Sequence, residues 1–144
     1  MKFNLKVYCE KTRLKEIRGF VSEKLKSYTT SEVEVNQLVL AVDEVCANLI
    51  IHSNACNARE SINLEVQVND EGVTFEITDN GVEFDFSQYK EPNIAEVVKE
   101  KKKGGIGLML VNRIMDSVEF YKQKDRNKCV LRKSFERKAV NSAN

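Results

Sequence analysis

The chain has 144 residues, 42% apolar and 31% charged, with 23 Lys and Arg against 22 Asp and Glu. That profile predicts a soluble globular domain and excludes collagen, a disordered chain and a disulfide miniprotein, while the near-zero charge balance argues against a direct nucleic-acid partner. The longest apolar run, Leu38 to Val42, is far short of the roughly 20 residues of a membrane span, and Met1 to Lys6 lacks the apolar core of a signal peptide, so a cytoplasmic protein with no membrane partner is expected.

Lys2 to Cys9 alternates Phe3, Leu5 and Val7 with polar residues, which predicts a strand. From Lys11 to Tyr28, Leu14, Ile17, Val21 and Leu25 recur at three- and four-residue steps and predict an amphipathic helix. Ser31 followed by Glu34 has the spacing of a capping box, opening a second helix from about Glu32 to His52 with the apolar stripe Val35, Leu38, Val39, Val42, Cys46 and Leu49. Asn54 to Glu60 reads as a loop. Ser61 to Val68 and Val73 to Thr78 alternate and are joined by Asn69-Asp70-Glu71-Gly72, a hairpin signal. Asn80 to about Pro92 is irregular, and Asn93 to Lys103 reads as a short helix or lid. Gly107 to Met115 reads as a helix. Val118 to Lys122 and Lys128 to Phe135 form a second hairpin around Asp125-Arg126-Asn127.

The order is β-α-α-β-β-α-β-β, which predicts an α+β fold with an antiparallel or mixed sheet and helices on one face. Doubly wound parallel folds alternate more strictly. Residues 1–135 read as a single domain and 136–144 as a polar, frayed tail. The cysteines, Cys9, Cys46, Cys56 and Cys129, show no Cys-x-x-Cys spacing, and His52 is the sole histidine. A structural zinc site needs four clustered ligands, so buried or free thiols are expected instead.

Three polar features fall outside the apolar pattern. Glu44, Asn48 and His52 are spaced four apart and form a second stripe roughly 110° from the centre of the apolar one, at the edge of the buried face. Alone, that stripe also reads as a solvated flank, and His52 as a histidine favoured by the helix C-terminal dipole. Asp79-Asn80-Gly81 ends a strand, as many turns do. Lys103-Gly104-Gly105-Ile106-Gly107-Leu108 enters a helix, where backbone amides bind phosphate and glycine permits close approach. No Gly-Lys-Ser/Thr follows, so this is not a Walker A loop.

Taken together, Glu-x-x-x-Asn on a helix, Asp-x-Gly at a strand end and Gly-Gly-x-Gly-Leu before a helix resemble the GHKL nucleotide-binding superfamily. The phrases AVDEVCANLIIHS, DNGVEFD and GGIGLMLVNRIMDSVEFY are similar to its anti-sigma-factor serine/threonine kinase branch, over nearly the whole chain. The resemblance implies a two-layer α/β sandwich of the GHKL (Bergerat) ATPase type, its sheet mixed but mostly antiparallel. It implies ATP and Mg²⁺ as cofactors. Glu44 would be the general base and Asn48 the Mg²⁺ ligand through its amide oxygen. Asp79 would accept from the adenine amino group, with Gly81 shaping that pocket. Lys103, Gly104, Gly105, Ile106, Gly107 and Leu108 would form the phosphate side, Gly105 and Gly107 through backbone amides. One of Lys101, Lys102 and Lys103 would reach the γ-phosphate, although the three also read as a solvated lid.

Two departures stand out. Glu83 replaces the second glycine of Asp-x-Gly-x-Gly, and Asn127-Lys128-Cys129 stands where many relatives carry Gly-Thr before the last strand. Asp79-Asn80-Gly81-Val82-Glu83-Phe84-Asp85 follows the anti-sigma pattern, so both read as features of that branch. The implied function is phosphorylation of a small antagonist protein together with sequestration of a sigma factor, in a homodimer. The alternatives are a nucleotide-binding regulatory module without kinase turnover and the catalytic half of a histidine kinase. Glu44 favours a kinase over a binding module. Against the histidine kinase, only 43 residues precede Glu44 and the sole histidine lies in the motif helix.

Overall fold

The computed structural model describes residues 1–29, 31–53, 59–79, 105–123 and 126–135. The strands are β1 (Lys2–Tyr8), β2 (Ser61–Val68), β3 (Gly72–Asp79), β4 (Ser117–Gln123) and β5 (Arg126–Ser134), and the helices α1 (Leu14–Leu25), α2 (Glu32–Asn48) and α3 (Gly105–Ile114). Among the described residues the sheet has the order β1-β2-β3-β5-β4, with every neighbouring pair antiparallel. The expected order of elements is therefore present, in a sheet with no parallel pair among these strands. The expected helix or lid at 93–103 and the tail at 136–144 lie outside the described residues.

Period-2 patterning decides which face of the sheet is covered. Ile62, Leu64, Val66 and Val68 of β2 and Val73, Phe75 and Ile77 of β3 are buried, while the residues between them are not. They join Ile17, Val21 and Leu25 of α1 and the apolar side of α2 in one core. Each such fully buried aliphatic or aromatic side chain contributes about 1.5–3 kcal/mol relative to exposure. Helix α2 packs against both α1 and α3. The buried side of α2 is wider than the sequence stripe, because Ala41 and Val45 are also fully covered, while Val39 is only half-buried.

Helix α2 starts as expected, with a variation in its cap. The Glu34 N–H donates to Ser31 Oγ at 3.1 Å. The Ser31 N–H donates to Thr29 Oγ1 at 3.2 Å, and Thr29 Oγ1 donates to Glu34 Oε1 at 3.0 Å. Thr29 thus relays the return arm that a capping box would make directly.

The end of α2 differs from the sequence expectation. The α-helix stops at Asn48 and continues as a π-helical turn, Leu49–Ser53. In the turn, Leu49 and Ile50 are both buried. They continue the buried side that Ala41, Val42, Val45 and Cys46 form in the α-helical part of α2. The side chain of His52 is outside the described set.

Two further boundaries move. Helix α3 begins at Gly105 rather than Gly107, so Gly105 and Gly107 lie in its first turn. Arg126 and Asn127, expected in a turn, belong to β5, where Gln123 pairs with Arg126 and Lys122 with Asn127. At the β2–β3 connection, Asn69 Oδ1 accepts from the N–H groups of Glu71 at 2.8 Å and Gly72 at 3.1 Å, an Asx-type turn.

Candidate functional site

Glu44 and Asn48 lie one turn apart in the last part of α2. Asn48 is only 9% exposed, and its Nδ2 donates to the Glu44 carbonyl at 2.9 Å. Only the NH₂ group can donate to a carbonyl, so this bond settles the amide orientation. Among the described residues, Asn48 Oδ1 then has no hydrogen-bond donor. A buried oxygen in that state is costly unless something binds it.

Glu44 is half-buried. Burial holds its carboxyl above the ordinary glutamate range, and the negative charge of neighbouring Asp43 pushes it further. Asp43 is itself held by Arg18 of α1, Nη1 to Oδ1 at 3.1 Å. The proton affinity of Glu44 is thereby raised in the direction a general base requires.

The second element of the site is at the far end of β3. Asp79 occupies the core-facing position after Val73, Phe75 and Ile77, where the alternation calls for an apolar side chain. It is 3% exposed, and so is Asn127, its direct register partner on β5. Asn127 Nδ2 donates to Asp79 Oδ1 at 2.9 Å. Sequence reasoning placed Asn127 in a turn and assigned it no role. The usable signal was its parity: counting back from Leu131 and Cys129 in steps of two reaches Asn127, a polar residue on the core face.

A cleft of about 300 Å³ lined by Lys6, Ser61, Asn63, Thr78, Asp79 and Arg126 lies at the same end of the sheet. Apart from Asp79, these residues alternate with the buried ones and stand on the outward face. This cleft is therefore distinct from the space between the sheet and α2.

The third element is the start of α3. The amides of Gly105, Ile106 and Gly107 open the helix and have no acceptor within it. The side chains of Ile106 and Leu108 are not described. Gly81, Lys103 and Gly104, together with Lys101 and Lys102, lie outside the described residues. The structure thus places Glu44 with Asn48 on α2, and Asp79 of β3 with Asn127 of β5, on elements that share one core.

No group of three or more His, Cys, Asp or Glu residues among those described could hold a metal ion. Asn48 Oδ1 fits a different arrangement. Mg²⁺ takes oxygen ligands, keeps several waters and commonly uses one or two protein ligands plus substrate phosphates. Cys9, Cys46 and Cys129 are buried and in no disulfide, as expected, and Cys56 is outside the described residues. No helix among the described residues is long and apolar enough to cross a membrane.

Comparison with known proteins adds to this geometry. The sequence pattern of the family described as histidine kinase-like ATPase domain matches residues 8–133. The chain is similar to an anti-sigma F factor of Clostridium perfringens, 24% identical over 100 residues that span 69% of this chain and 71% of that protein. It is also similar to the serine-protein kinase RsbW of Halalkalibacterium halodurans, 29% identical over 96 residues that span 64% of this chain and 57% of that protein. In fold it is similar to a structure of the RsbU and RsbW domains of a Mycobacterium tuberculosis protein, with a TM-score of 0.66 and 13% identity over 94% of this chain and 33% of that one. The SiaB–SiaC complex of Pseudomonas aeruginosa gives a TM-score of 0.63 and 16% identity over 92% of this chain and 89% of that one.

Proposed function

The chain belongs to the histidine kinase-like ATPase domain family, and we propose that residues 1–135 act as one ATP-dependent serine/threonine kinase domain of the anti-sigma-factor type. Its protein substrate is a small antagonist, and its second activity is to sequester a sigma factor, in a homodimer in the cytoplasm. The names of the two relatives above, an anti-sigma F factor and a serine-protein kinase, support this reading.

The observation that carries it is the Asn48–Glu44 contact. It ties up the amide NH₂ and leaves a buried oxygen on the residue one turn after Glu44, whose carboxyl has a raised proton affinity. Asn48 Oδ1 would hold Mg²⁺, which when bound neutralises charge on the triphosphate. Asp79 would accept from the adenine amino group. Amides at the start of α3, with Lys103 and Gly104, would hold the phosphates, and Gly81 would shape the adenine pocket. Glu44 would accept the proton of a substrate serine hydroxyl as that oxygen bonds to the γ-phosphorus. The bond from the γ-phosphorus to the bridging oxygen breaks and ADP leaves. Most of the rate comes from holding these groups in line.

The experiment is transfer of radiolabelled γ-phosphate to proteins captured by this chain in the presence of ATP, followed by phosphosite mapping. Label on a serine or threonine of a captured partner supports the kinase. Nucleotide binding with no transfer to any captured partner replaces it with a nucleotide-gated binding module.

A further inference from the structure

We propose that the cleft on the outward face of the sheet, between Lys6 of β1 and Arg126 of β5, binds a phosphoryl oxyanion. This site is separate from the proposed nucleotide site on the core face and does not rest on that reading.

The cleft of about 300 Å³ is lined by Lys6, Ser61, Asn63, Thr78, Asp79 and Arg126. A water molecule occupies about 30 Å³ of liquid, so the space holds an oxyanion together with some of its water. Sheet register brings these residues together. Lys6 lies opposite Asn63 and Asn63 opposite Thr78, in one row across β1, β2 and β3. Ser61 begins β2 and Arg126 begins β5, at the same end of the sheet. Lys6 Nζ stands over the Tyr8 ring, 5.6 Å from its centroid, and Tyr8 is the register partner of Ser61. That contact draws the ammonium toward this end.

Elsewhere on the outward face the cations are matched. Lys128 pairs with Glu76 at 3.2 Å, and Arg132 pairs with Glu119. Among the described residues, neither Lys6 nor Arg126 forms an ion pair. The acidic residue of the lining, Asp79, holds a core-facing position and is 3% exposed. What the cleft offers from its outward side is an ammonium, a guanidinium, the hydroxyls of Ser61 and Thr78, and the Asn63 amide, whose Nδ2 also donates to Asn4 Oδ1 at 3.0 Å. This donor set exceeds what a carboxylate, with two oxygens and one charge, can accept. A phosphoryl group carries about −1.5 to −2 charges at pH 7 on three acceptor oxygens, and guanidinium and ammonium groups both bind it well.

The test is an NMR titration of the full chain with inorganic phosphate and, separately, with an acetylated phosphoserine amide, at ionic strength held constant with chloride. The amide signals of Ser61, Asn63, Thr78 and Arg126 should shift and saturate, with a Kd of about 1–10 mM. Lys6→Gln/Arg126→Gln should weaken binding at least tenfold. Lys11→Gln/Lys15→Gln removes the same charge at exposed positions away from the cleft and should weaken it less than about twofold. If the cleft double variant does not fold, the two single variants carry the comparison, each expected to lose at least about threefold. Phosphoserine binding at least about fivefold tighter than inorganic phosphate assigns the site to a phosphorylated protein, and equal or weaker binding assigns it to the free ion. Shifts at the cleft that fail to saturate, or an equal loss in both double variants, overturn the proposal. Shifts confined to the start of α3 overturn it as well, while supporting the phosphate role proposed for those amides.

Discussion

The side-chain NH₂ of Asn48 is held by the backbone carbonyl of Glu44 one turn earlier, at 2.9 Å. The contact couples two residues proposed for separate tasks. It turns the Asn48 oxygen away from the helix backbone while using only the main chain of Glu44, so the carboxylate keeps its own freedom. Four-residue spacing is what makes this geometry available.

Removing that oxygen should affect the metal more than the fold. Asn48→Ala loses one hydrogen bond, about 0.5–1.5 kcal/mol of stability. ATP affinity measured with Mg²⁺ should fall at least tenfold, about 1.4 kcal/mol, while affinity measured in EDTA changes little. Calorimetry under both conditions, with a thermal melt of the same variant, checks this. An unchanged magnesium dependence would remove Asn48 from the metal site.

Glu44→Gln separates chemistry from binding. Loss of a general base costs about 10²–10⁴ in phosphotransfer rate, and nucleotide affinity should move less than about tenfold. The raised proton affinity also gives a sign for stability. The native state binds this proton more tightly than the unfolded chain does, so native stability falls as pH rises from the unfolded to the folded value. Wherever Glu44 is ionised it is a net cost to the fold. The Gln variant should therefore melt at the same or a higher temperature than wild type at pH 7, while its activity drops. A clear loss of stability in that variant would make Glu44 structural.

The two described glycines outside α3 should respond in opposite directions to alanine. A Cβ on Gly19, at an exposed position inside α1, meets nothing within 4 Å. Gly19→Ala should stabilise by about 0.5–1 kcal/mol. A Cβ on Gly72 would stand 2.5 Å from the Lys133 carbonyl oxygen of the paired strand. Gly72→Ala should destabilise by about 1–3 kcal/mol. Urea denaturation of both variants checks the pair.

Cys46 and Cys129 should resist thiol reagents in the native protein. Burial pushes both thiols up, Cys129 to about 12, and the Asp43 charge raises Cys46 further. At pH 8 almost no thiolate is present at either site. Peptide mapping after alkylation should find both unlabelled in the native state and labelled in denaturant. Rapid native labelling would show that the core opens at this end of the sheet.

Much of this protein is written in local pattern. Alternation in β2 and β3, the three- and four-residue steps of α1 and the Ser31–Glu34 cap are short-range signals, and each of these elements formed where its signal lies. The four-residue spacing of Glu44 and Asn48 is equally local, so their pairing was legible. Relationships made across the sheet were not. Asn127 looked like part of a turn because Asp125 and Asn127 are of turn-forming types. It became the partner of Asp79 only when β5 paired with β3 in a register that set residues 48 positions apart opposite each other. The π-helical turn after Asn48 was not legible either. Local pattern continues the α-helix through Leu49-Ile50-Ile51, whereas the structure changes to a π-helical turn at Leu49 within the shared core. Sequence by itself determined the elements and the residue types available to the site. Tertiary structure decided which polar side chains are buried together, because burial and register depend on partners that no local window contains.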